Sequence, residues 1–371
     1  MSSMTFFKFK LLPHWPLLLV WLILAAFFSP VITQGKLPLP ADTLVGLYHP
    51  YRDFFAATNP SGIAYKNFLI TDPVLQQYPW KQFAISQLKS GRIPWWNPYT
   101  FSGMPLLANF QAGVFYPLNF IFFLFNFTTA WTIFIIIQPF LASWFLYAFL
   151  RHHRLSPLAS ALAALTWIFS GFFVVWLQWG NIGHTLLWLP LILLAIDKII
   201  KRKSRFWPLI LIFALASQFF AGHLQIAFYV LLASLIYTAW RIIQSPNKSK
   251  LILLFTMCYT LFAIATAVQW LPTLQLIKLS ARDIDQAQTL ARPDWFLPWQ
   301  NLVQFIAPDF FGNPATLNYF GAWNYSEFVG YIGLIPLILG LLAFTHKSTR
   351  SHRLFWFASA LTIGGLLLAL P

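Results

Sequence analysis

Acidic side chains are the scarcest chemistry in this sequence, with nine Asp and Glu set against 24 Lys and Arg and eight His. Three of the acids stand where a carboxylate could act on a substrate. Asp72 lies in "ITDPVLQQYPWKQF", Asp42 opens "DTLVGLYHPYRDFF", and Glu327 precedes "FVGYIGLIPLILG". A carboxylate can take a proton from an attacking hydroxyl, steady developing positive charge, or hold a cation. Each of these also has a plainer reading. Asp72 before Pro73 suits a helix N-cap, because Pro is favoured at the first helical position, and Asp42 beside Thr43 reads as a cap as well. Glu327 reads equally as a charge marking the rim of a membrane span, where it escapes the cost of the bilayer centre.

Other residues could complete such a site. Arg52, Lys81, Arg92, Arg282 and Arg292 could meet a phosphate, or contact lipid headgroups instead. Asn97, Asn109 and Gln111 are amides that need partners when hidden from water, and so fix either a loop or a sugar hydroxyl. Tyr78 and Gln225 add hydrogen-bonding groups, while Trp95, Trp96 and Tyr99 read first as anchors at a membrane rim. His184 in "GNIGHT" and His223 in "AGHLQ" each follow a Gly, and could share a polar cavity or simply cap a helix end. Asp53 beside Arg52 reads as a solvated charge, and Asp283, Asp285 and Asp294 near Arg282 and Arg292 read as ordinary ion pairs. There is no HExxH, no Cys cluster, no P-loop and no GxGxxG, so a structural zinc site and the use of a nucleotide sugar or ATP inside the cell have no support. Cys258 is alone, which excludes an intrachain disulfide.

The elements that must position these groups are membrane helices. At 58% hydrophobic and only 9% charged, the chain holds many apolar runs near the roughly 20 residues that cross a bilayer. Spans are expected at 13–33, 129–150, 157–177, 183–199, 206–221, 224–241, 251–271, 328–345 and 354–371, one all-α multispan membrane domain over residues 1–371. With a cytoplasmic N-terminus, the inner loops carry Lys8 and Lys10, Arg151 and Arg154, Lys198 to Arg205, Arg241 to Lys250, and Lys347 to Arg353. Those loops collect 15 of the 24 bases and a single acid, Asp197. That is the positive-inside pattern of a cytoplasmic membrane protein, so the net charge of +15 reports topology and not a nucleic-acid partner. The first apolar run lacks a good small-x-small site and is read as a retained span, not a cleaved signal. The last run ends without polar flanks, which reads as a C-terminally truncated fragment.

Two outer loops follow from this layout, a large one at 34–128 and a second at 272–327. A connection as long as the first usually has structure and a task of its own. Its stretches from Asp42 and Asp72 resemble each other. Each has a Tyr six residues after the Asp, then, in order, a Pro, an aromatic, a base, one residue and Phe. Both read as amphipathic helices lying on the membrane, with Arg52 and Lys81 in equivalent places. Residues 91–119 read as ordered turns, and "FYPLNFIFFLF" is too short to cross.

The ordered set "YPWKQFAISQLKSGRIPWWNPYTFSGMPLLANFQAGVFYPLN", "GHTLLWLPLILL", "AGHLQIAFY" and "YIGLIPLILG" resembles the YfhO family of bacterial membrane proteins, grouped with the GT-C glycosyltransferases. The resemblance implies a GT-C-like helical bundle whose long first outer loop carries interfacial helices. It implies an enzyme that binds a polyprenyl-phosphate sugar donor among membrane lipids and passes the sugar to an envelope glycan or polymer outside the cytoplasm. In that pattern an Asp of the first outer loop acts as base or holds a divalent cation such as Mg or Mn, and Asp72 and Asp42 are the positions that fit. A transporter or lipid flippase would instead place ionisable groups near span centres, and the spans here are nearly free of them. A non-catalytic scaffold for envelope assembly is the third class the residues allow.

Overall fold

The computed structural model describes residues 14–58, 70–202, 204–280, 296–322 and 324–371. Lys8, Lys10, Lys203, Arg282, Asp283, Asp285, Arg292 and Asp294, named above, lie outside the described residues. The first apolar run forms α1 (Trp15–Phe27) and α2 (Ser29–Gln34), separated at Phe28 because Pro30 starts a new helix. The large loop holds α3 (Asp42–Leu47), α4 (Tyr51–Thr58), a π-helical turn at Pro73–Gln77 and α5 (Tyr78–Lys89). A two-residue antiparallel ribbon follows, with Trp96–Asn97 against Met104–Pro105, then 3-10 turns at Phe110–Ala112 and Pro117–Phe120 and the single turn α6 (Ile121–Leu124). Residues 91–119 are thus turns, and "FYPLNFIFFLF" does not cross.

The bundle consists of α7 (Phe127–His152), α8 (Pro157–Ile168), α9 (Gly171–Val175), α10 (Ile182–Leu186), α11 (Leu189–Ile200), α12 (Trp207–Phe220), α13 (Leu224–Ile243) and α14 (Lys248–Lys278). Helices Leu334–Ala343 and Arg353–Ala369 follow the second loop. The starts are written locally. Asn126 accepts from the Thr129 N–H to open α7, and Ser156 accepts from the Ala159 N–H at 3.1 Å to open α8 behind Pro157. Such caps are each worth about 1 kcal/mol. Between apolar helices in lipid, association comes from close packing more than from escape from water. Accordingly α8 buries the small residues Ser160, Ala161 and Ala164 where it meets α7 and α1. The centre of the bundle is α11, which buries Ile192, Ala195 and Ile196 among α7, α12 and α13.

The all-α membrane fold is as expected, but the spans are less uniform. Among the described residues four helices are long and apolar enough to cross, with α10 and α11 counted as one from Ile182 to Ile200, five if one bent pair counts as a single span, and four shorter apolar helices of 10–17 residues occupy the remaining expected positions. The expected continuous span at 157–177 is corrected to a pair bent by 48°, α8 and Gly171–Trp179. The break has a local cause. Ser170 turns its hydroxyl to the Phe173 N–H and starts a new helix, while the Gly171 N–H donates to the Tyr331 carbonyl at 2.7 Å. A Cβ on Gly171 would run into the Val329 side chain, so a straight helix with any other residue could not accept the second loop here.

Candidate functional site

The family-like motifs converge where the large loop rests on the bundle. Lys81 of α5 is 5% exposed; its ammonium donates to the Gly113 carbonyl at 3.0 Å and to Asn119 Oδ1 at 3.1 Å, 5.5 Å from the Phe134 ring centre. Asn119 Nδ2 donates in turn to the Gly113 and Val114 carbonyls at 2.8 and 2.9 Å. Gln269 and Thr273 of α14 donate to the Leu107 and Ala108 carbonyls at 2.7 and 3.0 Å. Gly222, at φ +101°, lies so close that a Cβ would stand 3.0 Å from the Phe110 carbonyl and 3.2 Å from that of Gln111. "YPWK", "ANFQAG", "YPLN" and "AGH" are therefore one packed junction. Burial pulls the Lys81 amine down to about 7, since a charged ammonium loses its hydration there.

Lys81 and Arg52 are not equivalent, which corrects the sequence expectation. Arg52 stands on the surface, bonded to His49 at 2.6 Å and 3.6 Å from Asp53. The His49 hydrogen bond, with Arg52 adding to it, holds the exposed Asp53 carboxyl below its usual range. Nor do both helices lie flat on a surface, because α5 buries Trp80, Lys81, Ala84 and Ile85 whereas α4 buries none of its residues.

Asp72 stands just before the π-helical turn with helical angles of φ −56° and ψ −42°, and its side chain makes no capping bond. An N-cap normally adopts extended angles and bonds the N2 or N3 N–H, so the cap reading fails on both counts. The half-buried carboxylate accepts instead from the Gln76 amide at 3.3 Å. Burial raises its pKa and the nearby indole of Trp179 opposes the rise. Trp179 ends a 3-10 turn at Leu177–Trp179, continuous with α9 and touching the Asp72 turn. Two residues on, Asn181 donates to the Gly222 carbonyl at 3.2 Å, and one turn beyond Asp72, Gln77 donates to Gln111 at 2.8 Å. Gln77 Oε1, Asn181 Oδ1 and Asn109 Nδ2 are buried without a protein partner. Leaving such an atom unbonded costs roughly 1–3 kcal/mol, so these amides hold spare capacity for a polar ligand.

Glu327 lies in the turn Tyr325–Phe328, which packs on α9. Its side chain reaches solvent, yet the surrounding protein desolvates the carboxyl enough to raise its pKa. One broken-span segment, Gly171–Trp179, thus touches the turns that carry Asp72 and Glu327. Asp42 is the first residue of α3, where Ala41 and not Asp42 is the cap.

The remaining expected residues are dispersed. His184 is sealed in the core, with Nδ1 bonded to the Tyr116 hydroxyl at 2.9 Å and Nε2 to the Phe134 carbonyl at 2.8 Å. His223 caps α13 through the Ile226 N–H at 3.3 Å, and burial lowers its pKa to about 4. The two do not make a shared cavity, because packing has used both nitrogens of the first. Tyr78 packs edge-on against Phe127 and Trp131 at about 5 Å, and Gln225 bonds Tyr229 on an exposed helix face. Asn97 makes an Asx turn to the Tyr99 N–H at 3.0 Å and also bonds Thr100. Asn109 accepts from the Gln111 N–H at 3.2 Å. A divalent cation does not fit. The groups facing Asp72 are N–H donors, and among the described residues no three of His, Cys, Asp and Glu come together to hold an ion.

Lys36, Gln77, Trp179 and Asn181 were missed in the sequence. Lys36 directly follows the first apolar run and stands between two apolar hollows. One, of about 660 Å³, runs between Val31–Leu37 and the α7 face of Thr128, Thr132, Ile136 and Phe140. The other, of about 390 Å³, lies between Phe28 and Leu37 on one side and Val174, Leu177 and Gln178 on the other. Apolar below and headed by a lysine and threonines, the pair suits a long hydrocarbon chain with an anionic head.

Taken together, these features define an all-α membrane protein whose buried amides, carboxylates and hydrocarbon-lined hollows gather where a structured loop meets the bundle. The chain belongs to the family described as bacterial membrane protein YfhO, which it matches over residues 102–371. Asn109, Gln111, Asn181, Gly222 and Glu327 fall within the matched stretch, while Asp42, Asp72 and Lys81 precede it. No curated protein and no solved structure matches the chain.

Proposed function

We propose that this protein is a GT-C-like glycosyltransferase that moves a sugar from a polyprenyl-phosphate donor to an envelope glycan or polymer. It would work on the outer face of the bacterial cytoplasmic membrane, with its N-terminus inside. The observation that carries this reading is the setting of Asp72: a half-buried carboxylate bonded to the Gln76 amide beside Trp179, whose segment also lines a lysine-headed apolar hollow. The donor's isoprenoid tail lies in the hollow and Lys36 meets its phosphate. Asp72 takes the acceptor hydroxyl proton as the acceptor oxygen bonds to the anomeric carbon; the carbon–oxygen bond to phosphate breaks, and its electron pair leaves on the phosphate. Burial raises the Asp72 pKa and so makes it a better base, while Gln77 and Asn181 offer bonds to sugar hydroxyls. The proposal routes no step through a metal.

The flippase reading gains nothing from the bundle. The one buried acid among the described residues, Asp197, is already paired with Arg241 at 2.6 Å and His153 at 2.7 Å at the basic end. Membranes carrying the full-length protein test the proposal through transfer of labelled sugar from a polyprenyl-phosphate donor. Asp72→Asn is expected to abolish transfer with expression and insertion intact. Retained transfer in both Asp72→Asn and Asp42→Asn would sink the carboxylate mechanism.

A further inference from the structure

At the opposite end of the bundle, a cavity of about 410 Å³ is lined by Lys201, Arg202, Arg241 and Arg353, with Gln244, Ser245 and Asn247 as neutral neighbours. We propose that this cavity is a second binding site, one that takes a phosphate group. The four bases come from three separate segments, the ends of α11 and α13 and the start of helix Arg353–Ala369. The positive-inside bias puts bases into inner loops, but it does not gather them around one concavity.

Three details make the cavity more than a basic patch. Asp197 is buried beneath it and anchors Arg241 at 2.6 Å, with the Tyr237 hydroxyl donating to the same carboxylate at 3.0 Å. Arg241 is thereby fixed and balanced, and no carboxylate lines the cavity to balance the other three bases. Arg202 sits at φ +49°, a left-handed conformation that strains a residue with a Cβ and that glycine would adopt freely. Finally, α14 begins just after Asn247, and helix Arg353–Ala369 begins at the cavity; neither start has a side-chain cap. Asn247, just before α14, and Arg353, the first residue of its helix, both line the cavity, so the positive ends of two helix dipoles stand beside the cations. The carbonyl ends of α11 and α13 offset part of this field, but they cannot donate to a ligand. Cations with neutral donors and helix N-termini are the chemistry that recognises phosphate, whether on a lipid headgroup or in solution.

The test is thermal unfolding of the full-length protein in neutral detergent, with dioleoylphosphatidylglycerol or inorganic pyrophosphate added and dioleoylphosphatidylcholine as reference. One of the two anionic probes is expected to raise the midpoint. The rise should fall by at least half in the triple variant Lys201→Gln, Arg202→Gln, Arg353→Gln, and persist in Arg154→Gln, a base of the same end outside the cavity. A response to phosphatidylglycerol alone identifies a lipid headgroup, and a response to pyrophosphate alone a soluble phosphate; both support the site. Should the triple variant not fold, Arg202→Gly, which relieves the strained backbone, must still weaken the response. No rise with either probe, or an undiminished rise in the cavity variants, overturns the proposal.

Discussion

The stretches from Asp42 and from Asp72 begin with the same pattern and end as different structures. In the first, His49 adds one residue between Tyr48 and Pro50, Tyr48 turns extended at φ −115° and ψ 133°, and the chain breaks into α3 and α4. In the second, Tyr78 and Pro79 adjoin, and the helix runs on from the π-helical turn into α5. A wider turn spares Pro79 the clash with the preceding carbonyl that an α-helix would impose. One inserted residue therefore separates a surface helix, with Arg52 satisfied by His49 and Asp53, from a packed one whose Lys81 pins the loop to the bundle. A shared motif states which groups are present; burial decides which of them work.

The difference can be broken in order of expected size. Asp72→Asn should lower sugar transfer by about 10²–10⁴-fold, the range for a lost general base, whereas Asp42→Asn should change it by no more than a few fold. Initial rates with a labelled donor check this, and equal losses at both positions would erase the contrast. Lys81→Ala should cost about 3 kcal/mol, since it opens a cavity and strips a donor from two buried acceptors. Arg52→Ala should stay within about 0.5 kcal/mol, as exposed ion pairs do. Thermal or denaturant unfolding in detergent separates these two. Gly222→Ala tests the packing that makes α5 different. With φ +101° and a carbonyl at 3.0 Å from the added Cβ, it should cost about 1–3 kcal/mol. Gly35→Ala, where a Cβ meets nothing within 4 Å, should cost only the backbone penalty of about 1 kcal/mol.

The smallest effect is a pH dependence. The Lys81 amine titrates at about 7 in the folded protein and near 10.4 when unfolded, as lysines do in water (about 10.4). Between those values the unfolded chain binds the extra proton, so this group makes stability rise with pH; below about 7 both states carry the proton and its contribution is flat. Unfolding between pH 7 and 8 should show a gain of at most about 1.4 kcal/mol from this group, absent in Lys81→Ala and unchanged in Arg52→Ala.

Much of the architecture was legible because bilayer physics writes it into composition. Apolar runs and the sorting of bases by side are local properties, and they placed an apolar helix at each expected span, though α14 runs on to Lys278 and the helix expected from 328 begins at Leu334. The break at Gly171 was not legible, since it exists to admit Val329 and Tyr331 from a distant part of the chain. The site was half legible. Asp72, Asn109 and Gln111 stood out as scarce acids or hidden amides, while Trp179 and Asn181 were not singled out and gain their place only from the turn beside Asp72. "QWGNIGH" carried a signal, a Gly between two hydrogen-bonding side chains, but only contact gives it meaning. His184 misled for the opposite reason, because a histidine near a span end looks available until Tyr116 and the Phe134 carbonyl are seen to occupy it.

By itself the sequence determined that this is a membrane protein of many apolar helices, which faces carry charge, and how few acids are free for chemistry. Those follow from transfer free energies that each residue carries wherever it stands. Only the tertiary structure decided that Lys81 is a buried strut and Arg52 a surface charge, that Asp72 answers to Trp179 instead of capping its own helix, and that four bases share one cavity. These depend on dielectric surroundings and on partners brought together from far along the chain, and neither is a property of a residue alone.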